Sequence, residues 1–188
     1  MDALEAIATR RTIGRLVEPA PDEAALDKAF AAAICAPDHK RLRPWRFLVV
    51  SGAARQAFGA LLAQSLRRRK PDASDDDLAR EAGKALRAPM IVVSIARVRA
   101  DAGIPEIEQM LAAGAATQNL MLALHAQGYG TAWKTGAASY DPAVGAALGL
   151  AADERIVGFV YMGSVAAQPP AAPPADPRAF VSTWTAAR

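Results

Sequence analysis

The stretch 90–95 constrains the fold more than any other part of the sequence. It follows Pro89, and Ser94 is its one polar residue. A short run of this kind, without alternation of polar and apolar side chains, is typical of a central β-strand covered on both faces. Two further runs of strand length, 45–50 and 155–165, are rich in β-branched and aromatic residues and also predict strands.

Helices are predicted between these strands. Leu26, Phe30 and Ile34 recur every four residues after Asp22, a good N-cap, and predict a helix with one apolar face. The remaining elements are an extended segment at 131–135 and helices at 2–9, 53–70, 106–127 and 141–148, with a short one after 77. The elements interleave without a strict strand–helix repeat, which predicts an α+β fold or a mixed three-layer sandwich. We see no internal repeat and no second core, so residues 1–188 are expected to form a single domain.

Composition narrows the class of protein. With 52% hydrophobic and 22% charged residues, the chain has the composition of a globular protein. Cys35 is the one cysteine, which excludes an internal disulfide and suits a reducing compartment. Residues 1–15 lack the pattern of a signal peptide, and the most apolar long stretch, 110–127, is too polar to cross a membrane. We therefore expect a cytoplasmic protein without a membrane partner.

Basic residues are clustered, although the formal net charge is only +3. The clusters are Arg10-Arg11, the loop 40–46 and the run 67–70. Such clusters can serve nucleic acid, an anionic cofactor or solubility alone. The run 67–70 ends a predicted helix, where the helix dipole favours cations, so we interpret it as a solvated helix end.

Few residues could carry out chemistry unaided. His39, His125 and Cys35 have no metal-ligand spacing, so no metal site is predicted. The sequence contains no Gly-x-Ser-x-Gly motif, no P-loop and no Gly-x-Gly-x-x-Gly turn after a strand. Cys35 is interpreted as a packed thiol and His125 as a hydrogen-bonded core residue. Such a protein either binds ligands or carries a cofactor that performs the difficult step, so we predict no catalytic side chain.

Arg10, Arg11 and Thr12 are the residues best suited to hold an anion. Two guanidinium groups and a hydroxyl follow one another at the end of a predicted helix. The fork of a guanidinium matches the oxygens of a phosphate group. Taken alone, however, three such residues are more often a solvated surface turn.

Four local patterns occur in order along the chain. They are the N-terminal Met-Asp-Ala-Leu-Glu with Arg10-Arg11-Thr12, the block 36–47 with Ala-Pro-Asp-His-Lys, the block 127–136 with Gly-Tyr-Gly-Thr-Ala-Trp-Lys, and Arg-Ile-Val-Gly-Phe at 155–159. Together, at this spacing, they make the chain resemble the nitroreductase family of FMN-dependent enzymes, and within it the short, YdjA-like subgroup. The resemblance covers nearly the whole chain.

The resemblance implies a fold, a cofactor and a reaction. The fold would be α+β, a three-layer α-β-α sandwich with a central mixed or antiparallel sheet. The protein would be a homodimer with two FMN sites at the subunit interface. Electrons would pass from NAD(P)H, through FMN, to a nitroaromatic or quinone-like acceptor by a ping-pong mechanism.

The resemblance also implies which residues contact the flavin. One group, at the end of the first helix, would bind the phosphate and ring edge. A second group, on a short strand, would run along the ring, and a loop of the other subunit would complete the site. In this order the expected residues are Arg10, Arg11 and Thr12; then Thr131, Ala132, Trp133 and Lys134; then Cys35, Ala36, Pro37 and His39. Lys134 is our own addition, because a positive charge directly after Trp133 could stabilise the reduced flavin.

Two positions depart from the family pattern. Cys35 stands where arginine is frequent, which predicts that one cofactor contact is lost or replaced by backbone. Gly14 stands where a longer side chain is common, which predicts a wider pocket at the edge of the cofactor.

The C-terminal segment has an unusual pattern. Residues 168–177 include five prolines and cannot form a regular element, yet Phe180, Val181 and Trp184 follow them. Apolar residues behind a proline-rich spacer predict an arm that docks elsewhere. We expect a domain-swapped arm that docks on the partner subunit of the dimer.

Two other functions remain open at this point. A family member that binds FMN without oxidising NAD(P)H would serve as a flavin carrier or act on the flavin itself. A non-enzymatic binder of phosphate or nucleic acid would use the loop 40–46, with Trp45 as a stacking platform. The enzyme hypothesis expects no nucleic-acid partner.

Overall fold

The structure, a computed structural model, describes residues 1–170, 173 and 175–185. Within this part, each predicted helix and strand is present within about two residues of its predicted bounds. The helices are α1 (Ala3–Thr9), α2 (Glu23–Ala33), α3 (Ala54–Arg69), α4 (Asp75–Ala82), α5 (Glu106–Ala126) and α6 (Pro142–Ala147). The strands are β1 (Leu16–Val17), β2 (Trp45–Ser51), β3 (Met90–Arg97), β4 (Gly130–Lys134) and β5 (Glu154–Val165). In the same part of the chain, no helix has the length and apolar character needed to cross a membrane.

The strands form one sheet in which every strand pairing is antiparallel. Strand β3 is central, with β2 paired to one edge and β5 to the other. Strand β5 is twelve residues long and also pairs with β4 and with the short β1. The prediction of a central strand at 90–95 is confirmed, since Ile91, Val92 and Val93 have no solvent exposure.

Helices cover both faces of the sheet. Successive side chains of a strand point to opposite faces, so β3 contributes to two cores. Ile91 and Val93 pack in a cluster with Phe58 and Leu62 of α3 and with residues of α6. Val92 packs on the opposite face, in a cluster with residues of α2 and α5. The fold is therefore the expected three-layer α-β-α sandwich of the α+β class.

The predicted apolar face of α2 is confirmed in part, because Leu26 and Phe30 pack against the core cluster on this side of the sheet and Ile34 does not. The large residues were expected to face the core, but Leu26 and Phe30 are only half-buried and Ile34 is 57% exposed. The buried positions of the helix carry alanines instead: Ala25, Ala29 and Ala33. Small side chains let α2 approach α5 closely, and the amide of Asn119 on α5 donates to the carbonyl of Ala32 at 3.3 Å. The most buried positions of α2 therefore carry small residues, and the larger side chains Leu26 and Phe30 pack at the margin of the core.

Two glycines of β5 make room for neighbouring segments. A Cβ added at Gly158 would overlap the indole of Trp133 on β4. A Cβ added at Gly163 would lie 2.6 Å from Cδ of Pro89 and 2.9 Å from the carbonyl oxygen of Val17. The glycine of the Ile-Val-Gly-Phe pattern is thus explained by packing, because only hydrogen at this position admits the Trp133 side chain.

Glu154 joins three strands through a buried carboxylate. It is 7% exposed and accepts hydrogen bonds from Nε of Arg46 on β2 at 2.7 Å and from Nε of Arg97 on β3 at 2.9 Å. The backbone N–H of Ala151 donates to it at 3.1 Å. These bonds, that of Arg46 first, lower the pKa of Glu154 to about 2 against the opposing effect of burial.

Glu154 should make the free energy of unfolding depend on pH in the acid range. The unfolded chain takes up a proton near the ordinary pKa of 4.5, whereas the folded carboxyl group does so only near 2. The stabilisation is therefore complete above about pH 4.5 and is lost as the pH falls toward 2. Glu154→Gln should lower the free energy of unfolding at pH 7 by about 3 kcal/mol and flatten this acid dependence. Urea unfolding at pH 7 and in the acid range measures both effects.

Asp75→Asn is the matched control for this prediction. Asp75 is fully exposed and pairs with Arg67 at 3.5 Å. Loss of the Asp75 charge should change the free energy of unfolding by less than about 1 kcal/mol. Equal losses for the two variants would contradict the importance assigned to Glu154.

Candidate functional site

Two of the three predicted groups meet at the edge of β4. Thr12 and Thr131 form an isolated parallel bridge, and the N–H of Ile13 donates to the carbonyl of Thr131 at 3.0 Å. The segment that follows α1 is thereby fixed beside the strand that follows α5. These residues are more than a hundred positions apart in the sequence, so only the fold brings them together.

A cavity of about 160 Å³ lies between the ends of α1 and α5 and the start of β4. Arg10, Arg11, His125 and Thr131 line it. Three of its polar atoms are buried and have no hydrogen-bond partner among the described residues: Nη1 of Arg10, Nε of Arg11 and Oγ1 of Thr131. An unpartnered buried polar group costs about 1–3 kcal/mol. Three such atoms around one cavity indicate a place for a ligand rich in acceptor atoms.

Arg10 and Arg11 have different surroundings. Nη1 of Arg11 donates to the carbonyl oxygens of Ala8 at 2.7 Å and of Arg10 at 2.9 Å, which ties its guanidinium to the end of α1. Arg10 makes no side-chain hydrogen bond within the described chain, so its guanidinium is free to bind an anion. Thr12 is exposed beside them.

His125 adds a neutral group to the rim of this cavity. The hydroxyl of Thr9 donates to the carbonyl of Glu5 at 2.6 Å, so its oxygen accepts from Nε2 of His125 at 2.8 Å. Burial lowers the pKa of His125, and the positive charges of Arg10 and Arg11 lower it further. The prediction of a hydrogen-bonded His125 is confirmed, although the residue is at a cavity rim and only half-buried.

A second, larger cavity of about 550 Å³ adjoins the other side of β4. Gly14, Ala132 and Lys134 line it, and Ile13 lines both cavities. Nothing lies within 4 Å of a Cβ added at Gly14, so the space of a longer side chain at this position is open. Gly14 therefore leaves open space at the wall of this cavity, and a wider cofactor pocket at this position stays a prediction.

The remaining predicted group lies elsewhere. The loop after α2 is attached to the first turn of α5, where Nδ1 of His39 is 2.7 Å from Oε2 of Glu108. Within the loop, the N–H of Arg43 donates to Oδ2 of Asp38 at 2.6 Å. Lys40, Arg41 and Arg43 have φ angles of 55°, 54° and 48°, a left-handed conformation that is rare outside glycine. Side-chain contacts thus hold the loop in one unusual shape.

The prediction of a packed thiol at position 35 is wrong. Cys35 is exposed, and its Sγ donates to the carbonyl of Ala31 at 3.3 Å. It follows the C-terminal end of α2, next to Ile34, which is also exposed. Ala36 is buried beside it, whereas Pro37 is exposed.

Helix α5 separates the two halves of the predicted site. His125, which lines the cavity with Arg10, is in the last turn of α5. Glu108, which binds His39, is in the first turn. The two anchoring residues are seventeen positions apart, which corresponds to about 25 Å along a helix. His39 and the Arg10 cavity are therefore anchored near opposite ends of this helix.

The comparison with known proteins decides the family. Residues 7–164 match the model of the nitroreductase family. The chain belongs to the nitroreductase family.

Individual relatives agree with this assignment. The chain is 39% identical over 164 residues to the "Putative NAD(P)H nitroreductase YdjA" of Escherichia coli strain K12, covering 87% of this chain and 88% of the relative. It superposes on a nitroreductase-like protein of Bacillus cereus with a TM-score of 0.84 at 22% identity, covering 98% and 96% of the two chains. A Desulfovibrio desulfuricans protein in complex with FMN gives a TM-score of 0.76 at 24% identity, covering 97% and 96%. At these identities the two structures show the fold alone.

Other sequence features of this nitroreductase-family chain have structural roles. Trp45 is 9% exposed and packs with Ala96 and Ala112 in the core, so it is no stacking platform for bases. In the basic run 67–70, three of the four cations form ion pairs with aspartates. The run 67–70 is exposed, as the interpretation of a solvated helix end predicted. That interpretation did not predict the three ion pairs with aspartates.

Sequence reasoning missed the far wall of the larger cavity. Arg69 of α3, Arg87 after α4 and Tyr161 of β5 face it together. No motif links these positions, and the one available signal was the basic run that contains Arg69. Their proximity depends on how α3 and α4 cover the sheet.

The unpartnered hydroxyl of Thr131 predicts an unusual response to mutation. Thr131→Val removes a buried polar atom that has no partner, so the ligand-free protein should be unchanged or about 1 kcal/mol more stable. Thr117→Val is the matched control, because its equally buried hydroxyl donates to the carbonyl of Ala113 at 2.8 Å and contacts Ser94. That control should lose about 1–3 kcal/mol. Urea unfolding of both variants tests the contrast, and equal losses would show that Thr131 has a hidden partner.

Proposed function

We propose that this chain is an FMN-dependent oxidoreductase that passes electrons from NAD(P)H to nitroaromatic or quinone-like acceptors by a ping-pong mechanism. The observation that carries the proposal is the group of three buried, unpartnered polar atoms around the small cavity. Membership of the nitroreductase family, the name of the Escherichia coli relative and the FMN complex of the Desulfovibrio protein support it. We take residues 1–188 as one functional unit.

The small cavity fits the phosphate group of FMN. Its volume of about 160 Å³ suits a phosphate and is too small for a flavin ring. Arg10 and Arg11 bring two positive charges, and among the described residues no carboxylate lines the cavity. Phosphate oxygens would give Nη1 of Arg10, Nε of Arg11 and Oγ1 of Thr131 the acceptors that the protein does not. The donor set and the charge therefore match a phosphate monoester.

Strand β4 would orient the flavin ring. FMN, when bound, supplies the hydride and electron exchange, for which no protein nucleophile is needed. β4 pairs with β5 on one edge, and the described part of the chain places no further strand along its other edge beyond the Thr12 bridge. Its backbone N–H groups can then bond to the ring, and exposed Lys134 holds a positive charge in the adjoining cavity. An open cleft beside the ring would receive the nicotinamide and then the acceptor in turn.

The second half of each site would come from a second copy of the chain. His39 is anchored at the far end of α5 from Arg10, and Ala36 packs against the middle of that helix, which favours a loop supplied by the partner chain. Large apolar side chains are exposed on both helices that flank the site: Leu4 and Ile7 on α1, and Ile107 and Leu111 on α5. Exposed apolar groups of this size favour burial against a partner. We therefore propose a homodimer with two FMN sites at its interface.

The flavin test is an absorbance spectrum of the purified protein before and after anaerobic addition of NADPH. We expect flavin bands that bleach on reduction. Arg10→Gln should weaken FMN binding at least about tenfold, because it removes a charge-assisted bond to the phosphate. Arg15→Gln, an exposed arginine outside both cavities, is the matched control and should bind FMN as the wild type does.

Two results would contradict the proposal in different ways. A colourless protein that takes up no FMN would make the Arg10 and Thr131 segments purely structural. Bound flavin that neither NADH nor NADPH can bleach would instead favour a flavin carrier or an enzyme that acts on the flavin.

The C-terminal arm is proposed to stabilise the dimer. Phe180, Val181 and Trp184 are 82%, 73% and 86% exposed, and these side chains do not contribute to the core of their own chain. Deletion of all residues after Ala175 should shift the protein from dimer toward monomer at micromolar concentration. Sedimentation velocity measures the shift, with a shorter deletion after Thr185 as the control. A dimer of unchanged affinity after the longer deletion would exclude the swapped arm.

A further inference from the structure

The larger cavity has a cationic wall that the proposed FMN contacts do not use. Arg69, Lys84 and Arg87 line it opposite β4, and Glu81 is the one carboxylate among its described lining residues. Glu81 is paired with Lys84 at 2.6 Å. Arg69 and Arg87 have no ion-pair partner within the described chain, so the wall carries uncompensated positive charge.

Arg69 differs from its neighbours in the same turn of α3. Arg67 pairs with Asp75 at 3.5 Å, Arg68 with Asp141 at 2.8 Å, and Lys70 with Asp77 at 3.5 Å. The run 67–70 thus has three neutralised cations on the outer surface. Arg69 is the cation without a carboxylate partner, and it faces the cavity. A role in solubility alone would not explain why Arg69 lacks a carboxylate partner while its three neighbours have one. A ligand that carries a negative charge would explain this difference.

The floor of the cavity is apolar. Leu62 of α3 and Phe159 of β5 are 3% and 4% exposed and form part of its lining. Tyr161 lies beside them, and its hydroxyl makes no hydrogen bond among the described residues. Burial raises the pKa of Tyr161, and the charge of Arg87, which lines the same cavity, opposes this rise. The cavity therefore combines an apolar floor, a free hydroxyl and a cationic rim.

We propose that this cavity receives the electron acceptor and selects aromatic acceptors that carry a carboxylate, with Arg69 and Arg87 as the groups that recognise the anion. The inference rests on the proposed function and adds the class of acceptor. The aromatic body packs on the floor beside Leu62 and Phe159, and the carboxylate pairs with a guanidinium fork. Ala132 and Lys134 line the same cavity, so the acceptor is held beside the strand that orients the flavin.

The test compares two probes that differ in charge. 4-Nitrobenzoate and 4-nitrobenzamide are titrated into the FMN-loaded protein without NADPH, and their Kd values are measured from the flavin absorbance or by equilibrium dialysis. The wild type should bind the benzoate at least about tenfold more tightly, because a charge-assisted bond is worth more than a neutral one. The Arg69→Gln, Arg87→Gln double variant should lose this preference and still bind the benzamide. Arg67→Gln, from the same helical turn, should retain the preference.

Several outcomes would overturn the inference. Equal binding of the two probes by the wild type would remove the anion selectivity. A double variant whose Kd for FMN itself rises about tenfold would show that the two arginines bind the cofactor. A double variant that loses affinity for NADPH but not for NADH or the benzoate would assign the wall to the nucleotide phosphate. A flavin that binds and bleaches with NADPH while the charge preference is absent would leave the proposed function intact and contradict this inference alone.

Discussion

The pairing of β5 along both of its edges supports the rest of the structure. Its twelve residues bond to central strand β3 on one side and to β4 on the other, and its end pairs with β1. Glu154 at its start is held by arginines of β2 and β3, which ties the register of three strands to one carboxylate. Gly158 lets Trp133 lie against the strand. The position of β4, and with it the backbone proposed to face the flavin, follows from these contacts.

Helix α5 determines what one chain can and cannot do. It fixes the Arg10 cavity at one end and the His39 loop at the other, about 25 Å apart. This separation supports the proposal that a second chain supplies the His39 loop, and the exposed apolar residues of α1 and α5 are consistent with it. The proposed oligomeric state is thus a consequence of helix length as much as of surface composition.

The proposed binding groups are maintained at a cost in stability. The unpartnered atoms of Arg10, Arg11 and Thr131 have lost water without gaining a protein partner. The left-handed residues of the loop 40–43 add local strain. Burial of apolar side chains in the central sheet, among them Val92, Val93 and Val160, offsets such costs. Ligand binding would supply the missing hydrogen bonds. The hydroxyl of Thr131 would therefore raise the affinity for the ligand while it lowers the stability of the ligand-free protein.

Local sequence determined the elements and the family, because hydrophobic periodicity, helix caps such as Asp22 and short ordered motifs act over a few residues. The central strand at 90–95 and the segments at Arg10 and Thr131 were identified this way. It misassigned the burial of Ile34 and Cys35 at the end of α2 and did not identify the buried alanines of that helix, since close packing between helices depends on small residues and on the neighbour they meet. Only the tertiary structure placed Thr12 beside Thr131, separated Arg10 from His39 along α5, and brought Arg69, Arg87 and Tyr161 to one cavity. These arrangements join residues far apart in the chain, and long-range packing alone decides their distances.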